Sequence, residues 1–558
     1  MDMNMLGMNM PAQTPSGQPS ASPEQMNMPG MQMPSSPSTT AKPPASPEKM
    51  DMNMPGMSGM QQSSQSPNAN QTRPQATQDN MGGMGNMNMG TPAGKGQSSD
   101  TKDMNSMPGM EGGEMGNMPM GPNSLVVMEG EEMNICIGPG TKNTLPMGQM
   151  GSGSSWQPSS TPMFMYSKVA GKWTLFVHGE AKLGVNSQGG PRGVTKFESE
   201  NWVMPMAYRR VGPGTLQLRG MFSLEPFTLS PGGSPQLFQT GETYKGQPLI
   251  DKQHPHDLFM ELSSTYTVAL GEKGTWFTYL GFPGEPALGP TAFMHRQSAS
   301  ENPAAPLGHH LEDSTHIAFG VFSTGFTYRG LKLEGSLFNG QEPDENRYNF
   351  EFHPWNSRSA RLSFAPNDNW SMQVSYGFLK HPEATEPGDI RRTTASVSYN
   401  KPFKNGNWAT TLIWGRNHIS SPGEVANLNG YTTESTVNFL RKNYLYARLE
   451  LVDKNELLRD EDRQLLGIKD QHPSFRIGAY TFGGTRDIWN TDKVSVALGA
   501  DVTFYSKPAV LDPVYGNNPT SYHFFVRIRP SHMSMTGRYT GKGLGTDDTT
   551  AAIVDVQP

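Results

Sequence analysis

Thioether is the most concentrated donor chemistry in this 558-residue chain. Thirty of its 38 methionines fall in the first 165 residues, a stretch that holds none of the 13 histidines. They come as Met-x-Met and Met-x-x-Met groups. Met1, Met3, Met5, Met8 and Met10 form the first group, and Met26, Met28, Met31 and Met33 the second. Met50, Met52, Met54, Met57 and Met60 follow, then Met81, Met84, Met87 and Met89, then Met104, Met107, Met110, Met115, Met118 and Met120. A thioether is a soft, uncharged donor that suits Cu(I) and Ag(I) and serves harder divalent ions poorly. Thioethers without imidazole therefore point to a monovalent soft metal.

Methionine is also an adaptable filler of cores. Here it sits among Gly, Pro, Ser, Asn and Gln, with almost no Leu, Ile, Val or Phe before Leu125. Such a stretch buries too little apolar surface to offset the entropy of ordering, so residues 1–120 are expected to be a disordered tail. Reversible sulfoxide formation, as an oxidant buffer, and drifted low complexity stay open beside metal binding. SPEQMNMPGMQMPSSP at 22–37 is echoed by SPEKMDMNMPGMSGM at 46–60, with drifting spacing and no apolar stripe. That pattern reads as an array of weak sites acting through high local concentration.

Imidazole enters only later. His254, His256 and Asp257 share QHPHDLF, while His309, His310 and His316 share GHHLEDSTH with Asp313. Imidazole with carboxylate suits Cu(II) or Zn(II) better than Cu(I). A solvated or hydrogen-bonded surface role is the competing account, because the spacing matches no specific metal signature.

From Trp173 onward the sequence gives segments of about ten residues with period-2 alternation, consistent with strands. Sixteen are expected, near 173–185, 196–209, 215–224, 256–270, 274–283, 313–328, 331–340, 354–365, 369–379, 389–402, 407–417, 431–441, 443–453, 473–484, 492–505 and 520–531. Short links such as VGPG, GEKG, YRG and KNGN alternate with longer ones. An even number of such strands, with short turns at one end and long loops at the other, predicts an all-β fold: an antiparallel transmembrane β-barrel of the outer membrane. The faces agree. Leu445, Ala447, Leu449 and Leu451 oppose Tyr444, Tyr446, Arg448 and Glu450, and Leu331, Leu333 and Leu337 oppose Lys332, Glu334 and Ser336. Lipid on one side and a wet lumen on the other would explain both rows. Trp173, Phe176, Trp202, Trp276, Trp355, Trp370, Tyr376, Trp408 and Trp414 are candidates for interfacial girdles. A soluble β-sandwich array or propeller is the alternative, but no blade-length repeat is present.

The expected domains are then the tail at 1–120, a linker or plug at 121–170, the barrel at 171–531 and a polar extension at 532–558. Even strand parity puts both termini, and so the tail, on the periplasmic side. If 121–170 lies in the lumen, Met163 and Met165 would carry metal from tail to pore.

The net charge of −6 is not blocky, and no basic stripe suggests nucleic acid. The single cysteine, Cys136, has no internal disulfide partner. No run of 18 apolar residues suggests a membrane helix. Met1 is not followed by a basic and then apolar signal segment, so a removed signal or a late start is expected for a barrel. No catalysis is expected. His418-Ile-Ser420 resembles the two-apart Ser and His of outer-membrane phospholipases, and a His polarising a Ser hydroxyl is sound nucleophile chemistry. That tripeptide makes a phospholipase-like hydrolase a minor alternative.

With its MDMNM and MPGM motifs ahead of a barrel, the chain resembles the outer-membrane copper-resistance proteins of Gram-negative bacteria of the B type. The departures are a tail without His and a barrel that looks larger. The stretches SGSSWQPSSTPM, RGMFSLEPFTL, DKQHPHDLFMEL, GEPALGPTAFMHR, GHHLEDSTHIAFGV and FNGQEPDENR resemble a family of uncharacterised bacterial outer-membrane proteins. The first resemblance implies copper tolerance through Cu(I) binding (or Ag(I)), by sequestration or export, while the second, over roughly residues 150–420, implies fold and location but no activity. Outer-membrane lipid and periplasmic copper proteins would be its partners, and an oligomer is compatible. A general porin or small-solute channel with an incidental tail is the alternative function.

Overall fold

The computed structural model describes residues 125–129, 132–139, 143–384, 388–421 and 424–533. The methionine groups of 1–120 and the extension after Met533 lie outside the described residues.

β1 (Val126–Glu129), β2 (Glu132–Cys136) and β3 (Thr144–Pro146) form a small antiparallel sheet within the stretch expected to be a linker or plug. Four strands then begin the barrel: β4 (Met165–Ala170), β5 (Trp173–Gln188), β6 (Thr195–Val211) and β7 (Gly214–Phe222). The single-turn helix α1 (Glu225–Thr228) leads into a separate hairpin of β8 (Ser234–Tyr244) and β9 (Gln247–Gln253). The wall continues with β10 (Phe259–Leu270) and β11 (Gly274–Gly281). After the short helix α2 (His309–Glu312) come β12 (Val321–Tyr328), β13 (Leu331–Phe338), β14 (Ser357–Phe364), β15 (Trp370–Leu379) and β16 (Asp389–Phe403). β17 (Gly406–Ser421), β18 (Glu424–Phe439), β19 (Asn443–Lys454), β20 (Phe475–Asn490), β21 (Val494–Ser506) and β22 (Thr520–Pro530) complete it.

Each wall strand pairs antiparallel with its neighbours, and β22 closes on the second half of β5, from Ser521 opposite Gln188 to Ile528 opposite Ala181. The first half of β5 is covered by β4, from Met165 opposite His178 to Ala170 opposite Trp173. Sixteen long strands therefore close the barrel, and β4 is a wedge at the seam. All sixteen match expected segments. The expected strand at 313–328 starts only at Val321, because Ser314–His316 form a turn inside the lumen.

Alternation is inside-out relative to a soluble protein. Leu333 and Leu445 are 60% and 58% exposed on the outer face, while Lys332 and Arg448 are 2% exposed within. A closed barrel leaves no edge unpaired in hydrocarbon, and an apolar exterior over a charged interior is the build of outer-membrane barrels. Phe176 and Trp202 depart from the girdle expectation. Phe176 is buried, and Trp202 packs against lumenal histidines, because the even-numbered residues of β5 and β6 in that region face inward.

Two of the segments that enter the lumen are pinned to its wall by polar contacts. In residues 147–163, Ser154 donates to Glu334 at 2.6 Å, Asn400 donates to the Ser160 carbonyl at 2.7 Å, and Lys332 sits 4.6 Å from the Trp156 ring centre. In the connection between β11 and β12, Arg296 pairs with Glu434 of β18 at 2.9 Å, and Glu301 pairs with Arg529 at 3.1 Å and also with Arg527. Buried ions of this kind are tolerable only when paired, so each bridge pins its loop to the wall. Gly415 of β17 faces α2 directly, and a Cβ there would collide with the Leu311 carbonyl oxygen.

Candidate functional site

The two histidine segments belong to different connections, yet the fold brings them together. His254 and His256 lie between β9 and β10, His309 and His310 on α2, and His316 on the turn after it. Ring centres of His309 and His316 are 5.1 Å apart, those of His256 and His316 5.4 Å, and those of His254 and His310 5.6 Å. His309 and His310 are 5.4 Å apart, and Phe293 packs 5.3 Å from His309. All five histidines are buried.

The orientation of three rings is fixed from one side. His256 donates from Nδ1 to Glu225 Oε2 at 2.8 Å, His309 to Asp313 Oδ1 at 2.6 Å, and His316 to the Asp313 backbone carbonyl at 2.9 Å. A histidine whose Nδ1–H is held by a carboxylate or carbonyl presents Nε2 as a lone-pair donor, the arrangement that supports metal-ligating histidines. Nε2 of His256 and of His316 is buried and makes no hydrogen bond. Leaving such an atom unmet costs about 1–3 kcal/mol, and His310 Nε2 in the same chamber is likewise buried without a hydrogen bond.

Burial disfavours the charged form of three of the rings, His254, His309 and His316. Burial pulls His254 well below its ordinary value, with the Arg347 charge adding to the effect. Burial lowers His309 against the opposing pull of Asp313, and lowers His316 to about 3. Burial would raise Asp313, but Arg296 and then His309 outweigh it and hold the carboxylate far below its usual range. Neutral imidazoles beside an ionised carboxylate are the protonation state a divalent metal requires.

A second donor set adjoins the first. His310 Nδ1 lies 3.5 Å from Glu342 and 4.0 Å from Glu383, and one donor atom from each residue falls within 4.8 Å of the others. Gly241 of β8 lies against the His310 ring, where a Cβ would not fit. The expected ligand Asp257 is instead engaged by Arg347 at 3.2 Å, and Arg347 also pairs with Glu242. Glu225, Glu342 and Glu383 were not among the residues expected from sequence. FNGQEPDENR held Glu342, but nothing in it pointed to His310. The methionines of 1–120 lie outside the described residues.

The hydrolase alternative gains a partner and lacks a contact. His418 bonds Asn427 on the next strand at 2.9 Å, but among the described hydrogen bonds none joins His418 to Ser420. Both side chains are on the outward-facing register of β17, where alternate residues such as Asn417 and Ile419 face in.

Fold and site thus define a sixteen-stranded outer-membrane barrel whose lumen holds a buried histidine–carboxylate chamber. Among solved structures the chain is similar to an anion-selective porin from Comamonas acidovorans, with 11% identity and a TM-score of 0.41 over 64% of this chain and 99% of the porin. It is also similar to Salmonella typhi OmpF in complex with daunomycin, with 9% identity and a TM-score of 0.38 over 65% of this chain and 100% of that one. Pseudomonas aeruginosa OpdK with vanillate gives 10% identity and a TM-score of 0.35 over 64% and 98%. No protein-family model and no curated protein matches the chain.

Proposed function

We propose that this chain is a copper-handling barrel of the outer membrane. Its methionine groups at 1–120 capture Cu(I), or Ag(I), on the periplasmic side, and the lumenal histidine chamber binds copper as a second station. The outcome would be copper tolerance by sequestration or export, with no bond-making chemistry. The observation that carries the reading is the set of His256, His309 and His316. Three rings from two separate connections are each held by an oxygen acceptor at Nδ1, with the Nε2 atoms of two left buried and unmet. A carboxylate–imidazole shell of that kind supports metal ligation and has little purpose in a solvated loop.

A general porin or small-solute channel is the second reading. It is favoured by the wall itself, because sixteen strands is a number that leaves an aqueous channel in porins. The inward-folded connection between β11 and β12 and the segment 147–163 weigh against a wide pore.

Cu(II) titration of the full chain in detergent tests the metal reading, because the thioether groups compete poorly for Cu(II). The full chain is expected to take up Cu(II), with His256→Ala/His316→Ala losing that uptake. Equal uptake by both proteins would remove the chamber from the account. Ion conductance in planar bilayers tests the channel reading independently.

A further inference from the structure

Methionine is partitioned unevenly inside the barrel. One buried cluster, which joins β8 to β11 and later wall strands and their connections, is built from Leu, Ile, Val, Ala, Phe and Tyr and contains no methionine. The other lies against β4 to β7 and the segment before them, and eight of its thirteen buried members are methionine. A gap-filling residue chosen for shape would be spread over both, so the partition calls for another cause.

Part of the methionine cluster lines a cavity of about 80 Å³, where Met163, Met165, Met204, Met206 and Met294 converge. Their sources differ: Met163 lies just before β4, Met165 opens β4, Met204 and Met206 lie on the inner face of β6, and Met294 lies in the turn Phe293–His295. Two histidines join them. His178 of β5 bonds the Phe164 carbonyl through Nδ1 at 3.0 Å, and its ring centre lies 5.8 Å from that of His295. Trp202 stands 4.6 and 4.7 Å from the two rings. The guanidiniums that border the cavity are already paired, Arg219 with Glu261 at 2.8 Å and Arg529 with Glu301 at 3.1 Å, so neither opposes a cation with an uncompensated charge.

The cavity also has neighbours. It shares Trp202 and Met294 with a neighbouring cavity of about 60 Å³, and that one shares His254 and His256 with the histidine chamber. Soft donors thus lie next to a cavity that itself borders the imidazole and carboxylate donors. Thioethers with one or two imidazoles suit Cu(I) and Ag(I), whereas the far chamber suits a harder ion or a monovalent one held by nitrogen.

We propose that the methionine–histidine cavity around Met204 and Met206 is a binding site for a monovalent soft cation, Cu(I) or Ag(I), one cavity removed from the histidine chamber. The inference rests on the copper reading and adds a lumenal station to it. The test uses Ag(I), which is redox-inert, and the full chain carrying ¹³C-methyl methionine in detergent micelles. Met204→Leu and Met206→Leu, each close in volume to the original, assign the two methyl resonances. Both resonances are expected to shift saturably with Ag(I), and the double variant is expected to lose at least tenfold in silver affinity at the remaining cavity methionines. If other methionine resonances shift while those of Met204 and Met206 do not, the cavity site is wrong and the metal reading survives. If no methionine resonance moves, both are wrong.

Discussion

Glu225 and His256 lie 31 residues apart, at opposite ends of the connection that carries the β8–β9 hairpin, and Glu225 Oε2 accepts both the ring Nδ1–H of His256 at 2.8 Å and its backbone N–H at 2.9 Å. One carboxylate oxygen therefore fixes the position and the tautomer of a buried ring. Glu225→Gln keeps the shape and weakens the acceptor. Loss of such a partner is expected to lower Cu(II) affinity by about 10–100-fold. Isothermal titration of the full chain reads this, and an unchanged affinity would mean that His256 is not a ligand.

The approach of α2 to the wall depends on Gly415. A valine there drives into the Leu311 carbonyl and displaces the helix that carries His309 and His310. Gly415→Val is expected to cost about 1–3 kcal/mol of stability, as overpacking does, and to abolish Cu(II) uptake. Heat-dependent gel mobility would report a barrel still closed, and Cu(II) titration the emptied chamber. Retained uptake would show that α2 does not hold the ligands.

Arg296 bridges Asp313 at 2.5 Å and Glu434 at 2.9 Å, which ties the long β11–β12 connection to the wall of β18. Removing one partner of a buried ion pair leaves charge uncompensated and costs about 3–5 kcal/mol. Arg296→Ala is expected to release the connection and raise single-channel conductance in planar bilayers. Conductance equal to that of the unmodified chain would mean that this connection does not occlude the lumen.

Glu285, just after β11, is pushed up from 4.5 to about 8 by burial, against the pull of Arg361. It is therefore protonated in the folded chain at neutral pH while an unfolded chain would release the proton. Its contribution to stability is fully present below about pH 4.5 and is lost as pH rises through about 8. Glu285→Gln is expected to raise the unfolding temperature at pH 9 relative to the unmodified chain, with the gap closing at pH 4. A pH-independent gap would show that Glu285 acts through shape and not through its proton.

The wall was legible because its two environments impose period 2. Leu449 faces outward and Arg448 the lumen, and a lipid exterior over a wet interior gives each a surrounding it tolerates. The hairpin of β8 and β9 was missed for the opposite reason. Most of β8 is buried on both faces, so Ser234–Tyr244 shows no alternation. The chamber was half legible. QHPHD and GHHLEDSTH marked donors, but their meeting depends on two connections folding inward, which local sequence does not encode. Glu225 and Glu342 carry no local signal at all, since their roles arise from the distant histidines they face. Met204 and Met206 read as ordinary strand residues, and only the tertiary neighbours Met163 and Met294 make them part of a thioether cavity.

Copper binding itself is tested most directly by a competitive Cu(I) titration against a chromophoric chelator under reducing conditions, comparing the full chain with one lacking residues 1–120. The full chain is expected to withdraw several equivalents, and the shortened chain to lose most of them while keeping the lumenal share. If neither protein takes Cu(I) from even a weak competitor, the chain is not a copper trap, and its sixteen-stranded wall is that of a channel.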